Sequence, residues 1–301
     1  MEFESCLHGE GIVKKYKKFE LNIPDFDIPR GFATALIGEN GAGKTTLLDI
    51  LAGIRLDYKG SLKFFDKFDD HDREVNPEVK NRIGYEGTGM YFLPQWTIRQ
   101  GREIQSLLFD SFNEGKYREI CQKLAIPDDD KMKINKLSDG NLMKLKLAGV
   151  FARETDLLIL DEPASPLDPL MREKLCEMIR EYLLLDEGNK SVFFSTHNVA
   201  DMEAVTDYAI IMENGSVVER GFTEELKEKY VLVKGENRDS EVASKVLYSM
   251  NTSNYGFEGI CLAERLDEIA GIDIVCEIPT LSQICVAVMK HNSNLYTGSI
   301  L

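Results

Sequence analysis

The segment Gly38–Thr45 constrains this chain more than any other stretch of its sequence. It reads Gly-Glu-Asn-Gly-Ala-Gly-Lys-Thr and fits the pattern G-x-x-x-x-G-K-[ST] in full. The glycines let the backbone turn its N–H groups toward a phosphate chain, Lys44 can reach the β- and γ-phosphates, and the Thr45 hydroxyl can bind Mg²⁺. The alternative is a plain glycine-rich turn. A strand-like run (32–38) before it and a helical run (45–51) after it favour the phosphate-binding interpretation.

Short apolar runs alternate with helical stretches over residues 1–230, and this alternation predicts an α/β fold. Mostly apolar runs of this kind are typical of parallel strands buried on both faces. A segment of helical pattern, 88–150, interrupts them, and we expect it to be an insertion in the sheet. The other predicted elements are strands at 156–161 and 191–196 and a hairpin of 208–212 and 216–219 that turns at Asn214-Gly215.

Polar residues follow two of these strands. Asp161 and Glu162 come directly after the apolar run 157–160, where Asp161 can hold Mg²⁺ and Glu162 can act as a general base. The alternative is two acids that end a strand in solvent, and the phosphate loop weighs against it. His197 follows the run 191–196 at the same sheet edge, where open α/β sheets bind ligands. We interpret it as a γ-phosphate contact rather than an isolated histidine.

The segment Leu137–Asn141 reads Leu-Ser-Asp-Gly-Asn and precedes an amphipathic helix. By itself it is a capped helix start with Ser138 as the N-cap. Ser138 also lies 23 residues before Asp161, which is the position of the signature motif in ABC ATPases. The chain therefore resembles an ABC nucleotide-binding subunit over about residues 5–230. The resemblance implies a P-loop α/β core with an antiparallel β subdomain and a helical subdomain.

The resemblance implies a role for each matching residue. Glu162 matches the catalytic glutamate, His197 the switch histidine and Lys44 the Walker A lysine, and these three are the expected catalytic residues. Tyr16, 28 residues before Lys44, matches the aromatic that stacks on adenine; the alternative is one more strand aromatic. The other implied nucleotide contacts are Gly38, Glu39, Asn40, Gly41, Ala42, Gly43, Thr45 and Thr46. The implied Mg²⁺ ligands are Thr45 and Asp161, the signature residues acting across a dimer are Ser138, Asp139 and Gly140, and the D-loop (165–168) contributes Asp168.

Three positions depart from the family pattern. Asp139 replaces a glycine of the usual LSGGQ signature. Thr88 stands where the Q-loop glutamine is expected, with Glu86 nearby and Gln95 displaced along the chain, so Thr88 is the candidate for the Mg²⁺ contact from that loop. Pro166 in the D-loop fixes φ and removes an N–H donor. We expect these changes to make the ATPase slow or conditional.

The stretch 89–96 is the most apolar of the loop-like segments. In ABC transporters this region forms part of the groove for a coupling helix of the membrane subunit, and the residues expected to line it here are Tyr91, Phe92 and Trp96. The alternative is internal packing. An exposed aromatic patch is typical of a partner site.

The resemblance implies that two such subunits, here expected to form a homodimer, sandwich two ATP molecules with Mg²⁺ and power a separate transmembrane subunit. Single-cassette chains with an appended domain resemble bacterial exporters of peptides, of the lantibiotic-immunity or phenol-soluble-modulin type. The expected function is therefore ATP-driven export of peptides or other amphipathic compounds. The alternative is a soluble ABC ATPase that acts on ribosomes or DNA. A P-loop kinase would leave the 137–141 signature unexplained.

Composition narrows these alternatives. The formal net charge of −15 argues against a nucleic-acid partner, because phosphate-backbone binding needs a basic footprint. No apolar run approaches the length that spans a bilayer, and the scattered cysteines show no C-x-x-C spacing. We expect a protein of the cytoplasm that lies peripherally on the inner face of the cell membrane.

The sequence changes character near residue 230, and we place the end of the ATPase domain there. Residues 231–301 form the expected C-terminal accessory domain, a small α/β appendage. Its predicted elements are a helix at 240–250, a strand at 256–263 and an apolar-periodic tail at 280–290.

Overall fold

The computed structural model describes residues 3–87, 89, 92–127 and 129–293. The strands are β1 (Ser5–Lys15), β2 (Glu20–Pro29), β3 (Ala33–Ile37), β4 (Lys59–Phe64), β5 (Phe68–Asp69), β6 (Ile83–Glu86), β7 (Leu157–Leu160), β8 (Ser191–Thr196), β9 (Tyr208–Glu213), β10 (Ser216–Phe222), β11 (Tyr230–Gly235), β12 (Ser249–Ser253), β13 (Gly256–Leu262) and β14 (Ile274–Glu277). The α-helices are α1 (Lys44–Leu51), α2 (Asp70–Val75), α3 (Pro77–Arg82), α4 (Ile98–Leu108), α5 (Glu114–Lys123), α6 (Asp139–Phe151), α7 (Pro169–Leu183), α8 (Thr223–Lys229), α9 (Ser240–Ala243) and α10 (Leu281–Asn292).

A six-stranded sheet of order β10-β9-β3-β8-β7-β6 forms the centre of the molecule. The five strands from β6 to β9 in this order run parallel, and β10 closes the edge as an antiparallel hairpin partner of β9. Every residue of β3, β7 and β8 is buried, as expected for parallel strands covered on both faces. The predicted α/β fold, the buried strands and the hairpin are therefore confirmed.

A second sheet, of order β2-β1-β4-β5, is antiparallel and shares a hydrophobic core with one face of the central sheet. Helices α4, α5 and α6 lie in the chain between the neighbouring strands β6 and β7, where the sequence predicts the helical segment. Strands β3, β7 and β8 run parallel in the central sheet, so their C-terminal ends lie on the same side. The loops that follow these three strands therefore meet at one edge of the sheet.

The C-terminal part forms a third sheet, of order β12-β13-β11-β14, with its own small core. The predicted strand at 256–263 agrees with β13, and the predicted helix at 240–250 is largely wrong: α9 ends at Ala243 and β12 begins at Ser249. Cross-strand pairing of β12 with β13 overrides the local helical pattern there. The domain division at residue 230 stays a prediction.

Helix α10 follows the third sheet in the chain and packs against both that sheet and the main body, with Leu281, Ile284 and Cys285 buried in the shared core. The Glu203 carboxylate accepts hydrogen bonds from the first two backbone N–H groups of the helix, those of Leu281 (2.9 Å) and Ser282 (3.3 Å). A carboxylate at a helix N-terminus satisfies free N–H donors and the helix dipole. Glu203 thereby anchors the N-terminus of α10 to the main body.

Candidate functional site

The loop between β3 and α1 has a backbone that only glycine allows at its two ends. A side chain at Gly38 would bring a Cβ atom within 2.6 Å of the Met212 carbonyl oxygen. Gly43 has a φ of +106°, and a Cβ there would meet the Phe19 ring at 2.8 Å. The loop therefore folds tightly over the start of α1, whose N-terminal N–H groups can bind an anion.

Lys44, the first residue of α1, is 6% exposed, and its ammonium group lies at the centre of the loop. Lys44 Nζ donates to the Gly38 carbonyl oxygen (2.8 Å) and to the Glu39 carbonyl oxygen (3.3 Å). It also lies 3.4 Å from Glu162 Oε1. A charged donor is thus held where the loop can enclose a phosphate chain.

Asp161, directly after β7, is buried and is bound from two sides. Its Oδ2 accepts a 2.8 Å hydrogen bond from Thr45 Oγ1, and its Oδ1 accepts one from Ser195 Oγ of β8. Thr45 and Asp161 supply a hydroxyl and a carboxylate oxygen side by side. Mg²⁺ prefers oxygen ligands of this kind and completes its shell with substrate phosphates and water, so the residues present fit a nucleotide-bound Mg²⁺ ion.

Glu162 has a φ of +52°, an uncommon backbone conformation for a residue other than glycine. Its backbone N–H donates to Ser195 Oγ (2.9 Å), and its Oε2 lies 2.7 Å from His197 Nδ1. Ser195 therefore contacts both acids. Sequence reasoning missed it, although its position two residues before His197 in a buried strand is a usable signal.

Tyr16, which follows the end of β1, lies over the first turn of α1. Its hydroxyl is 3.4 Å from Thr46 Oγ1, and the residue is 40% exposed. The Lys14 ammonium and the Arg55 guanidinium lie 5.4 Å and 5.6 Å from the ring centroid. The side chain is thus partly exposed beside the first turn of α1, with two cations over its ring.

The signature residues lie at the start of α6 and pack against the D-loop. Ser138 caps the helix by accepting from the Asn141 backbone N–H, and Asp139 is exposed in the first turn. A Cβ built on Gly140 would lie 2.9 Å from the Pro166 carbonyl oxygen, so the signature packs against the D-loop of its own chain. Asp168 caps α7 through the Met171 N–H (3.1 Å).

None of these signature or D-loop side chains hydrogen-bonds to residues 38–45 within the described residues. The other residues of the loop, Glu39, Asn40, Gly41 and Ala42, complete the turn between Gly38 and Gly43.

Thr88, the predicted Mg²⁺ contact of the Q-loop, lies outside the described residues. Gln95 is exposed. The nearby Glu86 is 1% exposed at the end of β6, and its carbonyl oxygen accepts from the Asp161 backbone N–H (2.8 Å). Burial raises the pKa of Glu86 to about 7, against the opposing effect of the Lys146 charge. Sequence reasoning also missed Lys146, whose Nζ lies 3.1 Å from Glu86 Oε1.

The expected exposed aromatic patch needs correction. Tyr91 lies outside the described residues, Phe92 is buried with its ring against Gly101 of α4, and Trp96 is partly buried against the same core. These two rings pack against the helical segment instead of facing solvent. A cleft of about 650 Å³ opens beside them between the helical segment and the rest of the body. The exposed apolar side chains that line it are Ile54, Leu56, Val75 and Leu108.

No helix among the described residues combines the length and the apolar character needed to cross a membrane.

Comparisons with known proteins agree with this geometry. The ABC transporter family profile matches residues 21–165. An uncharacterised ABC transporter ATP-binding protein of Nostoc sp. is 30% identical over 279 residues, covering 89% of this chain and 80% of that protein. The energy-coupling factor transporter ATP-binding protein EcfA2 of Methanospirillum hungatei is 31% identical over 206 residues, covering 66% of this chain and 50% of that protein.

A solved dimeric ATP-binding cassette in a post-hydrolysis state, bound to ADP and Pi, shares the fold. Its TM-score is 0.59 at 19% identity, over 72% of this chain and 98% of that one. Its likeness bears on the fold alone, whereas the relatives of higher identity bear on the family. The chain belongs to the ABC transporter ATP-binding proteins and is an ATPase of that family.

Proposed function

We propose that this chain works as one half of an ATPase dimer that drives a separate membrane-spanning subunit. The observation that carries the proposal is the meeting of Lys44, Asp161 and Glu162 at one edge of the central sheet. The cation, the metal-binding oxygens and the candidate base come from the ends of two different strands. This is the set of groups that phosphoryl transfer to water requires.

The arrangement gives each residue a task in ATP hydrolysis. Lys44 and the N–H groups of the phosphate loop bind the β- and γ-phosphates. Thr45 and Asp161 would hold Mg²⁺, which would supply positive charge beside the phosphates. Glu162 accepts a proton from the attacking water. His197 Nδ1 fixes the Glu162 carboxylate and leaves Nε2 for the γ-phosphate. Tyr16 stacks on the adenine ring.

The signature residues complete the site of a second copy. Among the described residues their side chains make no hydrogen bond to the phosphate loop of their own chain, and this supports a role across a dimer interface. Ser138 and Gly140 lie at the N-terminus of α6. The dipole of this helix favours binding of an anion such as a γ-phosphate at that end. Asp139 adds a negative charge at the same point and opposes that attraction. The proposal therefore includes a slow ATPase whose rate depends on dimerisation.

The apolar cleft is the proposed binding site for the membrane-spanning subunit. Ile54, Leu56 and Leu108 expose apolar side chains into it, with exposed fractions from 51% to 67%. We assign the cleft to a short helix of the membrane-spanning subunit that inserts an apolar face. Phe92 contributes to the cleft wall rather than to an exposed patch.

Export of peptides or other amphipathic compounds is the transport activity that we propose, on the resemblance of the single cassette with its appended domain to such exporters. A second candidate is a subunit of an energy-coupling factor transporter. The similarity to proteins named EcfA2 favours it. The membrane partner decides between the two, since the ATPase subunit carries no substrate residues.

Affinity purification of the tagged full chain from detergent-solubilised membranes tests the proposal. We expect stoichiometric recovery of a polytopic membrane protein, whose cavity then identifies the substrate class. Recovery in the soluble fraction with ribosomes or DNA would overturn the proposal and favour a soluble ABC ATPase.

Two neighbouring leucines test the cleft assignment. Leu107 and Leu108 of α4 are both largely exposed, but Leu108 lines the cleft and Leu107 points elsewhere. We expect Leu108→Asp to abolish recovery of the membrane protein while ATP binding persists. Leu107→Asp is the matched control and should retain the partner. Equal recovery with both variants would contradict this location.

A further inference from the structure

A buried ion pair joins the central sheet to the signature helix. Lys146 Nζ lies 3.1 Å from Glu86 Oε1 and donates to the Gly87 carbonyl oxygen at 3.1 Å. Glu86 ends β6, and Lys146 lies in the middle of α6. The side chains are 1% and 12% exposed, so the pair is largely shielded from water. The mechanism described above makes no use of either charge.

The backbone of Glu86 continues this link to the catalytic edge. Its carbonyl oxygen accepts from the N–H of Asp161 at 2.8 Å, just beyond the point where β6 and β7 pair. Lys146 is therefore linked through Glu86 to the backbone of Asp161, the residue whose carboxylate is proposed to hold Mg²⁺. The end of β6 thus contacts Lys146 through the Glu86 side chain and Asp161 through the Glu86 backbone.

The signature residues begin the same helix that carries this lysine. Ser138 lies eight residues before Lys146, which is about 12 Å along the axis of a regular helix. Leu145, Leu147 and Ala148 bury the inner side of α6 around the lysine, so the helix moves as one body. Any rotation of α6 about its contact with β6 is carried to Gly140 at its N-terminus.

Arg153, two residues after the end of α6, donates to the carbonyl oxygens of Lys80, Asn81 and Ile83 near the start of β6. The Glu86–Lys146 pair makes the polar link at the other end of β6, the end that contacts Asp161. A cleft of about 650 Å³ lies between the helical segment and the main body. Glu86 and Lys146 both line the cleft, so the ion pair bridges its floor. A buried ion pair is a weak source of stability, since apolar residues of similar size often replace it at no cost. The contacts of the pair are directional, so they are better suited to fixing the orientation of α6 against β6 than to stabilising the fold.

We propose that the Glu86–Lys146 pair holds the signature helix in register with the Mg²⁺-binding edge, so that the signature residues reach the nucleotide of the second subunit correctly. Glu86 and Lys146 are positioning residues in this scheme. The inference rests on the proposed dimeric function, because the signature acts only across the dimer interface.

The test compares the full-length chain with the double variant Glu86→Leu/Lys146→Met, which removes both charges together and leaves neither buried alone. Lys144→Met is the control, as it makes the same change two residues away on α6. For each protein we would measure thermal unfolding, the affinity for a fluorescent ATP analogue, and kcat and KM for ATP over a range of protein concentrations.

We expect the double variant to unfold near the wild-type temperature and to keep its nucleotide affinity and KM. Its kcat should fall by up to about 100-fold, the loss that a misplacement of about 1 Å in a catalytic constellation can cause. Lys144→Met should keep the wild-type kcat. Lys146→Arg, which preserves the charge at the pair, should retain more activity than Lys146→Met.

A wild-type kcat in the double variant would overturn the proposal. Parallel loss of folding, nucleotide affinity and kcat would also overturn it, because that pattern belongs to a purely structural pair. The concentration dependence of the wild-type chain gives a separate result. If its specific activity does not rise with protein concentration, the proposed dimeric function is refuted, and the inference that rests on it is refuted as well.

Discussion

Ser195 Oγ donates a hydrogen bond to Asp161 Oδ1 while the other carboxylate oxygen of Asp161 accepts from Thr45. The same Ser195 oxygen accepts from the backbone N–H of Glu162, which holds that residue at its positive φ. One hydroxyl thereby contacts both the carboxylate that we propose to bind Mg²⁺ and the backbone of the candidate base. Neighbouring strands β7 and β8 make the contact possible.

Ser195→Ala should lower kcat about tenfold and leave ATP affinity nearly unchanged. A hydrogen bond to a charged group contributes about 1.5–3 kcal/mol, and about 1.4 kcal/mol corresponds to a tenfold rate change. Steady-state ATPase kinetics and nucleotide titration check this. Ser191→Ala is the matched control, because Ser191 begins the same strand and its Oγ accepts from the Gly31 N–H. An equal loss of kcat in both variants would refute the positioning role.

Tyr16→Ala should weaken ATP binding about tenfold, since aromatic stacking on a base contributes about 1–3 kcal/mol. Tyr16→Phe keeps the ring and should keep the affinity, although it removes the hydroxyl near Thr46. Titration with a fluorescent ATP analogue measures both. Unchanged affinity in Tyr16→Ala would mean that the adenine stacks elsewhere.

Asp139→Gly should raise ATP turnover because it removes a negative charge from the helix N-terminus that is proposed to face the γ-phosphate. The same change should slightly lower thermal stability, since an acid in the first turn stabilises a helix by about 0.3–1 kcal/mol. Asp139→Asn separates the effect of charge from that of size. A turnover that stays equal or falls in both variants would sink the explanation.

Acid should weaken the contact between Asp130 and Arg102, which anchors the start of α4. The hydrogen bond from Arg102 lowers the pKa of Asp130 from 3.8 to about 2. A lowered folded-state pKa adds stability above the unfolded-state pKa, and this contribution disappears as pH falls through the folded-state value. Chemical denaturation should show wild type more stable than Asp130→Asn at neutral pH. Their difference should shrink between about pH 4 and pH 2; a constant difference would contradict the assignment.

Local patterns of the sequence predicted the elements that hold the site. Gly38 and Gly43 mark a turn that a side chain would block, and the apolar runs before Asp161 and after residue 190 mark strands buried on both faces. Period, propensity and turn chemistry depend on neighbours along the chain, so they can be inferred from the sequence. The order of the motifs then indicated the family.

Contacts between distant segments could not be predicted in this way. Sequence reasoning placed Phe92 on an open surface, but packing of α4 buried it. It assigned no role to residues 231–301, whose last helix is anchored by Glu203. The roles of Tyr16 and the signature residues stay predictions.

The sequence by itself determined that this chain forms a phosphate loop on a parallel sheet, because glycine geometry and apolar periodicity act over a few residues. Only the tertiary structure decided that Ser195 contacts Asp161 and that Lys146 pairs with Glu86. Those contacts join residues 34 and 60 positions apart. They depend on which strands become neighbours and which side chains lose water when the core closes, and neither is encoded in any short stretch of the chain.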